Sequence, residues 1–121
     1  MSAFASSMTI RTCQRSDAAS ALAIISQAWP EVERQTHLAA LWSALAGGNG
    51  QSAIVLSADA NEESLAAVAA QILPGRVASV TPPQMKSPTD IGAENTAQRL
   101  LERLNDDLSR AGVELAQALL P

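Results

Sequence analysis

Residues 97–120 read AQRLLERLNDDLSRAGVELAQALL and carry the clearest structural pattern in the chain. Apolar residues recur in its first part at three- and four-residue spacing, which predicts an amphipathic helix over 93–111. The positions that define the apolar face are Ala97, Leu100, Leu101, Leu104 and Leu108. Gly112 stands where a glycine commonly closes a helix, and 113–120 then reads as an apolar strand. The stretch is therefore a helix followed directly by a strand.

Three short apolar runs, bounded by turn residues, come before this helix. They are SAIVLSA at 52–58, LAAVAAQIL at 65–73 and VASVT at 77–81, and their short links predict an antiparallel meander. The alanine-rich second run also suits a helix by propensity alone. A polar connection from Pro82 then leads to the long helix. A strand, a helix and a strand make a right-handed crossover, so 113–120 should run parallel to 77–81.

In the N-terminal part of the chain, the pattern of residues predicts one strand and two helices. Residues 8–14 alternate as a half-buried strand, Asp17 offers a helix N-cap with Ser16, and Pro30 ends the first helix. A second helix begins near Glu31 and ends at GGNG, 47–50. The core stripes are Ala18, Ala21, Leu22, Ile25 and Ala28 in the first helix and Leu38, Leu41, Trp42 and Leu45 in the second. The predicted class is α+β, with three layers and a mixed, mostly antiparallel sheet.

Length and composition indicate one domain. The chain has 121 residues, 47% of them hydrophobic, so we expect a single domain at 8–121 and a disordered tail at 1–7. The net charge is −4 and the eight basic residues are scattered, which argues against a nucleic-acid surface. No apolar run approaches the roughly 20 residues of a membrane span. Cys13 is the only cysteine, which favours a reducing, cytoplasmic setting.

Two segments resemble a known family. MTIRTCQRSDAASALAII, 8–25, resembles the opening of GNAT-type N-acetyltransferase domains, and 97–120 resembles their central helix and next strand. The resemblance covers 8–120 and the first two-thirds of such a domain. It implies acetyl transfer from acetyl-CoA to a small-molecule or peptide amine. In the family another helix and two strands follow, often with a tyrosine acting as general acid. This chain has no tyrosine and ends at Pro121, so the resemblance implies a C-terminally truncated domain.

The same resemblance implies where the cofactor would bind. In the family, the motif Q/R-x-x-G-x-G/A precedes the central helix, and its backbone N–H groups hold the pyrophosphate of acetyl-CoA. Counted back from the double leucine, its six positions fall on 92–97, where Ala97 matches and Gly92 and Asn95 differ. The implied cofactor contacts are the backbone groups of Asn95, Thr96 and Ala97, together with the strand 77–81. Glu94 would place a carboxylate beside the phosphates.

Single residues add little chemistry to this prediction. His37 is the only histidine, and its position just before the core stripe of the second helix favours a boundary residue over a general base. For Cys13, the favoured interpretation is an unreactive thiol within a strand. Trp42 is expected in the core, whereas Trp29 could either pack in the core or border a cleft. Glu62 and Glu63 suit a solvated turn. We assign no catalytic residue and no metal ligand from the sequence.

Three functions stay open at this point. The first is an acetyl-CoA-dependent N-acetyltransferase. The second is a non-catalytic GNAT-like module that forms a homodimer or another protein complex through the exposed edge of the strand 113–120. The third is a small α+β ligand-sensing domain that does not use acetyl-CoA. The altered motif at 92–97 favours the second function, and the order of elements favours the first.

Overall fold

The computed structural model describes residues 8–47, 52–60, 63–87 and 93–118 of the chain. The strands are β1 (Thr9–Cys13), β2 (Ser52–Ala60), β3 (Glu63–Leu73), β4 (Val77–Met85) and β5 (Leu115–Ala118). The α-helices are α1 (Ala19–Ile25), α2 (Glu31–Leu45) and α3 (Ala93–Arg110). Two 3₁₀ turns, Arg15–Asp17 and Ser26–Ala28, flank α1. The predicted order of strands and helices is therefore confirmed.

The five strands form one mixed sheet in the order β1-β2-β3-β4-β5. The first four strands pair antiparallel, and β5 pairs parallel to β4 from Val77 with Leu115 to Val80 with Ala118. The meander and the parallel crossover are both confirmed. The alanine-rich run is a strand because it lies in the middle of the sheet, where both of its faces are covered.

Helices cover both faces of the sheet and give three layers. On one face, α3 inserts Leu100, Leu104 and Leu108 against even-numbered residues of β2 and β3 such as Leu56 and Val68. On the other face, α1 and α2 pack against odd-numbered residues of the same strands. The core residues on that second face include Leu22, Ile25, Trp29, Leu41, Val55, Ala67 and Ala69. The period of two along each strand therefore divides the core into two clusters.

The structure corrects two details of the predicted helices. Leu101 was expected on the apolar face of α3, but it is 38% exposed whereas Leu100 is fully buried. Consecutive helical residues point about 100° apart, so only one of the pair can face the sheet. Asp17 does not cap α1. It ends the preceding 3₁₀ turn, where its Oδ1 accepts a hydrogen bond of 2.7 Å from the N–H of Gln14.

The prediction that a loop begins at Pro82 is wrong, because β4 continues through both prolines to Met85. Pro82 and Pro83 together lie opposite Val68, between the pairs Ala69–Thr81 and Ala67–Gln84. Two residues facing one make a β-bulge, a place where a strand can accept proline without losing a ladder hydrogen bond. The proline pair therefore marks a bulge inside the strand.

The helix end predicted at Gly112 is confirmed. Gly112 has φ +85°, and the N–H of Val113 reaches back to the carbonyl of Leu108 at 3.0 Å. This left-handed conformation is one that glycine adopts without steric cost. The predicted tail at 1–7 and the last residues of the terminal strand lie outside the described residues. Association through the outer edge of β5 stays a prediction.

Candidate functional site

The first turn of α3 lies at the end of the sheet where β4 ends. The buried hydroxyl of Thr96 donates a hydrogen bond of 3.5 Å to the sulfur of Met8, the residue immediately before β1. The pairing of neighbouring strands places the start of β1, the end of β2, the start of β3 and the end of β4 together. A helix N-terminus and the last residues of β4 therefore occupy one end of the sheet, as the predicted cofactor site requires.

The three residues predicted to contact the cofactor have different environments. Asn95 is exposed, Ala97 is half-buried and Thr96 is buried. Asn95 lies within the helix, so it does not supply the positive φ of a glycine at this motif position. Because α3 begins at Ala93, the amides of its first three residues lack a helical partner, whereas the amide of Ala97 lies within the helical ladder. The motif position at Gly92 lies outside the described residues.

Most of the predicted cofactor-binding strand, 77–81, is already paired with neighbouring strands. Val77 to Val80 pair with β3 on one side and with β5 on the other. The described pairing with β5 ends at Val80, and β4 continues for five residues beyond that point. On the β5 side, the segment Thr81–Met85 pairs with none of the described residues. Two of its five residues are prolines, which have no N–H to donate.

A polar cleft of about 500 Å³ opens between α1 and the same end of the sheet. Its four charged residues come from β1, β2, β3 and the position after β4, and they are Arg11, Asp59, Glu63 and Lys86. Its neutral polar residues are Ser20, Gln27 and Ser64, and its apolar residues are Ala23 and Ile24. Sequence reasoning missed this cleft because Glu63 reads as part of a solvated turn. The available signal was Ser57 and Asp59, two polar residues at alternating positions inside an apolar strand.

An ion pair between β1 and β2 forms the wall of the cleft. Arg11 Nε lies 2.6 Å from Asp59 Oδ2, and Arg11 Nη1 lies 3.3 Å from Asp17 Oδ1. The other Asp59 oxygen accepts a hydrogen bond from the Ser57 hydroxyl, which lies 3.2 Å from the hydroxyl of Ser64. The Asp59 side chain is 19% exposed. Its carboxylate is therefore held on one side by Arg11 of the neighbouring strand and on the other by Ser57 of its own strand.

These contacts determine the protonation of Asp59. Burial by itself would raise the pKa of this carboxyl, but hydrogen bonds from Ser57 and Arg11 and the positive charge of Arg11 outweigh burial and lower the pKa below its ordinary value. The hydrogen bond to Asp59 in turn raises the pKa of Arg11. The pair is fully charged at neutral pH. It is a fixed structural pair and is not placed to exchange protons.

The single residues singled out in the sequence pack into the fold. Trp29 is 5% exposed and stacks on His37, with ring centroids 4.5 Å apart and planes inclined by 13°. Trp42 is half-buried, so Trp29 is the more deeply buried tryptophan. Burial raises the pKa of the Cys13 thiol to about 11, which keeps it protonated at neutral pH. In the described ranges, no group of three or more acidic, histidine or cysteine residues could hold a metal ion.

Comparison with solved structures identifies the fold. A predicted acetyltransferase from Clostridium acetobutylicum with acetyl-CoA aligns with 93% of this chain and 80% of its own, at a TM-score of 0.72 and 16% identity. The chain has the fold of the GNAT-type N-acetyltransferases. A ribosomal-protein-alanine N-acetyltransferase from Brucella melitensis gives a TM-score of 0.63 at 15% identity over 94% and 80% of the two chains.

A third solved structure shows the same similarity. The PaiA N-acetyltransferase from Thermoplasma acidophilum, in complex with coenzyme A, gives a TM-score of 0.59 at 11% identity, covering 88% of this chain and 75% of its own. No family model and no curated protein sequence matches the chain. The GNAT fold is therefore visible in the structure, whereas neither sequence comparison finds a match. Among the described helices, none is both long and apolar enough to cross a membrane.

Proposed function

We propose that the chain binds acetyl-CoA and transfers its acetyl group to an amine. The observation that carries this proposal is the position of the α3 N-terminus, which lies beside the last residues of β4 at one end of the sheet. A strand end and a helix N-terminus together offer backbone hydrogen bonds and a positive dipole end to one extended, phosphate-bearing ligand. The GNAT structures with acetyl-CoA or coenzyme A support the same ligand.

The backbone of this chain fits such a cofactor. The amides at the start of α3, from Ala93 to Asn95, have no partner within the helix and would donate to the phosphates. The carbonyls of Pro82 and Pro83 remain acceptors, so this part of β4 would accept hydrogen bonds from amide groups of the cofactor. The Gln84 side chain already donates to the Pro82 carbonyl at 3.3 Å. Gly92, the first position of the predicted motif, lies outside the described residues.

The chemistry supplied by acetyl-CoA is an activated acetyl thioester. In the net reaction, the amine nitrogen forms a C–N bond to the acetyl carbon, the thioester C–S bond breaks, and the proton of the amine ends on the released thiol. The residues of this chain would hold the donor and the acceptor close together, which is itself a large part of catalysis. No described residue is assigned as a general base.

A titration with acetyl-CoA tests the proposal. Amide signals from Thr81, Gln84 and Met85 of β4 and from the first turn of α3 should shift together as acetyl-CoA is added. Signals from the start of β4, which is paired on both sides, should move less. Unchanged spectra at millimolar acetyl-CoA would overturn the proposal for this chain.

Glu94 should oppose cofactor binding. Its exposed carboxylate lies in the first turn of α3, where it stabilises the helix but repels an incoming phosphate. Repulsion of about 1 kcal/mol at 4 Å in water means that Glu94→Gln should tighten acetyl-CoA binding about fivefold by calorimetry. The matched control is Glu102→Gln, an exposed position eight residues further along the same helix, which should leave the affinity unchanged. Equal effects of the two substitutions would indicate that the affinity for acetyl-CoA depends on the net charge of the protein and not on the position of Glu94.

A further inference from the structure

The four charges of the cleft beside α1 form two ion pairs of different character. Arg11 and Asp59 are locked by further contacts to Asp17 and Ser57. Lys86 contacts Glu63 across the rim, and their side chains are 52% and 55% exposed. An exposed pair of this kind stabilises a protein by about 0–1 kcal/mol, so it can separate at little cost. The Arg11 pair is a fixed wall, and the Lys86 pair can open.

The backbone holds both members of the rim pair in place. Glu63 is the first residue of β3, and the N–H of Lys86 donates to the carbonyl of Leu65 at 2.8 Å. The separation of their attachment points is therefore fixed, although the side chains reach into solvent. Ser64 and Gln27 supply further hydrogen-bonding groups within the cleft. A ligand placed between the two rim charges would meet a carboxylate on one side and an ammonium on the other.

The formal charges of the cleft balance, with two positive and two negative side chains. A ligand with one charge would pair with one rim residue and leave the other without its partner. A ligand that carries both an ammonium and a carboxylate would replace both halves of the rim pair. A volume of about 500 Å³ lies within the range typical of small-molecule sites. Mostly polar lining further favours a small zwitterion over an apolar compound.

We propose that this cleft binds a small amino acid, with its ammonium on Glu63 and its carboxylate on Lys86, as the amine acceptor of the acetyl transfer. The bound ammonium first gives one proton to solvent, and the neutral amine then attacks the thioester. The assignment of the bound amino acid as acceptor rests on the proposed function. Binding itself does not require the acetyl donor, so the two can be tested apart. The fixed Arg11 pair and the α1 side chains keep the cleft open, and the rim pair selects the ligand.

The test uses the full chain without acetyl-CoA and follows amide NMR signals. The probes are the ω-amino acids from glycine to 6-aminohexanoate, with butylamine and butyrate as singly charged controls. We expect at least one ω-amino acid to shift the signals of Glu63, Ser64 and Lys86 and to bind about tenfold more tightly than either control, because it makes two charge-assisted contacts instead of one. If every ω-amino acid binds no better than butylamine or butyrate, the proposal is wrong.

Two substitutions separate the rim charges from general electrostatics. Lys86→Gln should abolish the preference for an ω-amino acid over butylamine, and Glu63→Gln should abolish the preference over butyrate. Arg110→Gln also removes a positive charge, but it lies on α3, which packs on the opposite face of the sheet, and it should change neither preference. Preferences that survive both rim substitutions would overturn the assignment. Failure here with acetyl-CoA binding intact leaves the proposed function standing. Failure to bind acetyl-CoA overturns the proposed function and the acceptor role with it, but leaves amino-acid binding by the cleft in place.

Discussion

Leu100→Ala should destabilise the protein by about 2–5 kcal/mol, the largest effect expected of any substitution considered. Leu100 is fully buried where α3 meets β2 and β3, together with Leu56 and Val68. Truncation removes buried apolar surface and leaves a cavity, because neighbouring strands held by ladder hydrogen bonds can collapse only partially. A domain of this size commonly has a total stability of about 5–15 kcal/mol, so the loss would be a large fraction of it.

The neighbouring leucine supplies the control. Leu101→Ala makes the same chemical change one residue further along α3, but Leu101 is 38% exposed, and we expect a cost of about 1 kcal/mol or less. Urea unfolding of both variants, followed by circular dichroism, measures the difference between them. Similar losses in the two variants would contradict the orientation of α3 described above.

Asp59→Asn should cost about 1–3 kcal/mol at neutral pH, because it leaves Arg11 without its main partner in a half-buried position. Glu114→Gln breaks a comparable Arg–carboxylate pair with Arg76, 3.0 Å apart, in which both side chains are about 70% exposed. That control should cost about 0–1 kcal/mol. Equal losses would mean that burial of the Arg11 pair adds nothing to its strength.

The free energy lost in Asp59→Asn should depend on pH, and the direction of that dependence follows from the pKa of Asp59. The folded-state pKa of Asp59 lies below its ordinary value, so the ionised carboxylate stabilises the folded state. That stability is fully present above the unfolded pKa of about 3.9 and is lost as the pH falls through the folded pKa. The free energies of unfolding of the original protein and Asp59→Asn should therefore converge below about pH 4. A gap that stays constant between neutral and acid pH would show that Asp59 acts through packing.

Local pattern was sufficient to predict most of the fold. The leucine spacing of α3, the glycine after it and the three short strands before it each have a period or a turn that fixes the type of element. The same local information could not decide between Leu100 and Leu101, because the direction of the sheet relative to the helix is a tertiary property. It also placed the end of β4 at its first proline, since the β-bulge depends on the neighbouring strand.

The candidate sites show a similar division. The start of α3 could be located from sequence, because strand–loop–helix order places a helix N-terminus at the end of β4. The cleft beside α1 could not, because Arg11, Asp59, Glu63 and Lys86 lie on separate segments that only strand pairing brings together. Their register determines which charges meet. Sequence spacing within one segment does not say which residue of another segment lies opposite.

The two prolines in the bulge of β4 also bear on how the protein behaves when it is concentrated. An open strand with a full row of N–H and C=O groups can recruit a strand from another molecule and start aggregation. Beyond Val80, Pro82 and Pro83 have no N–H to offer to a new strand, and the bulge bends the segment around them. This segment of β4 is therefore a poor template for a strand of a neighbouring chain.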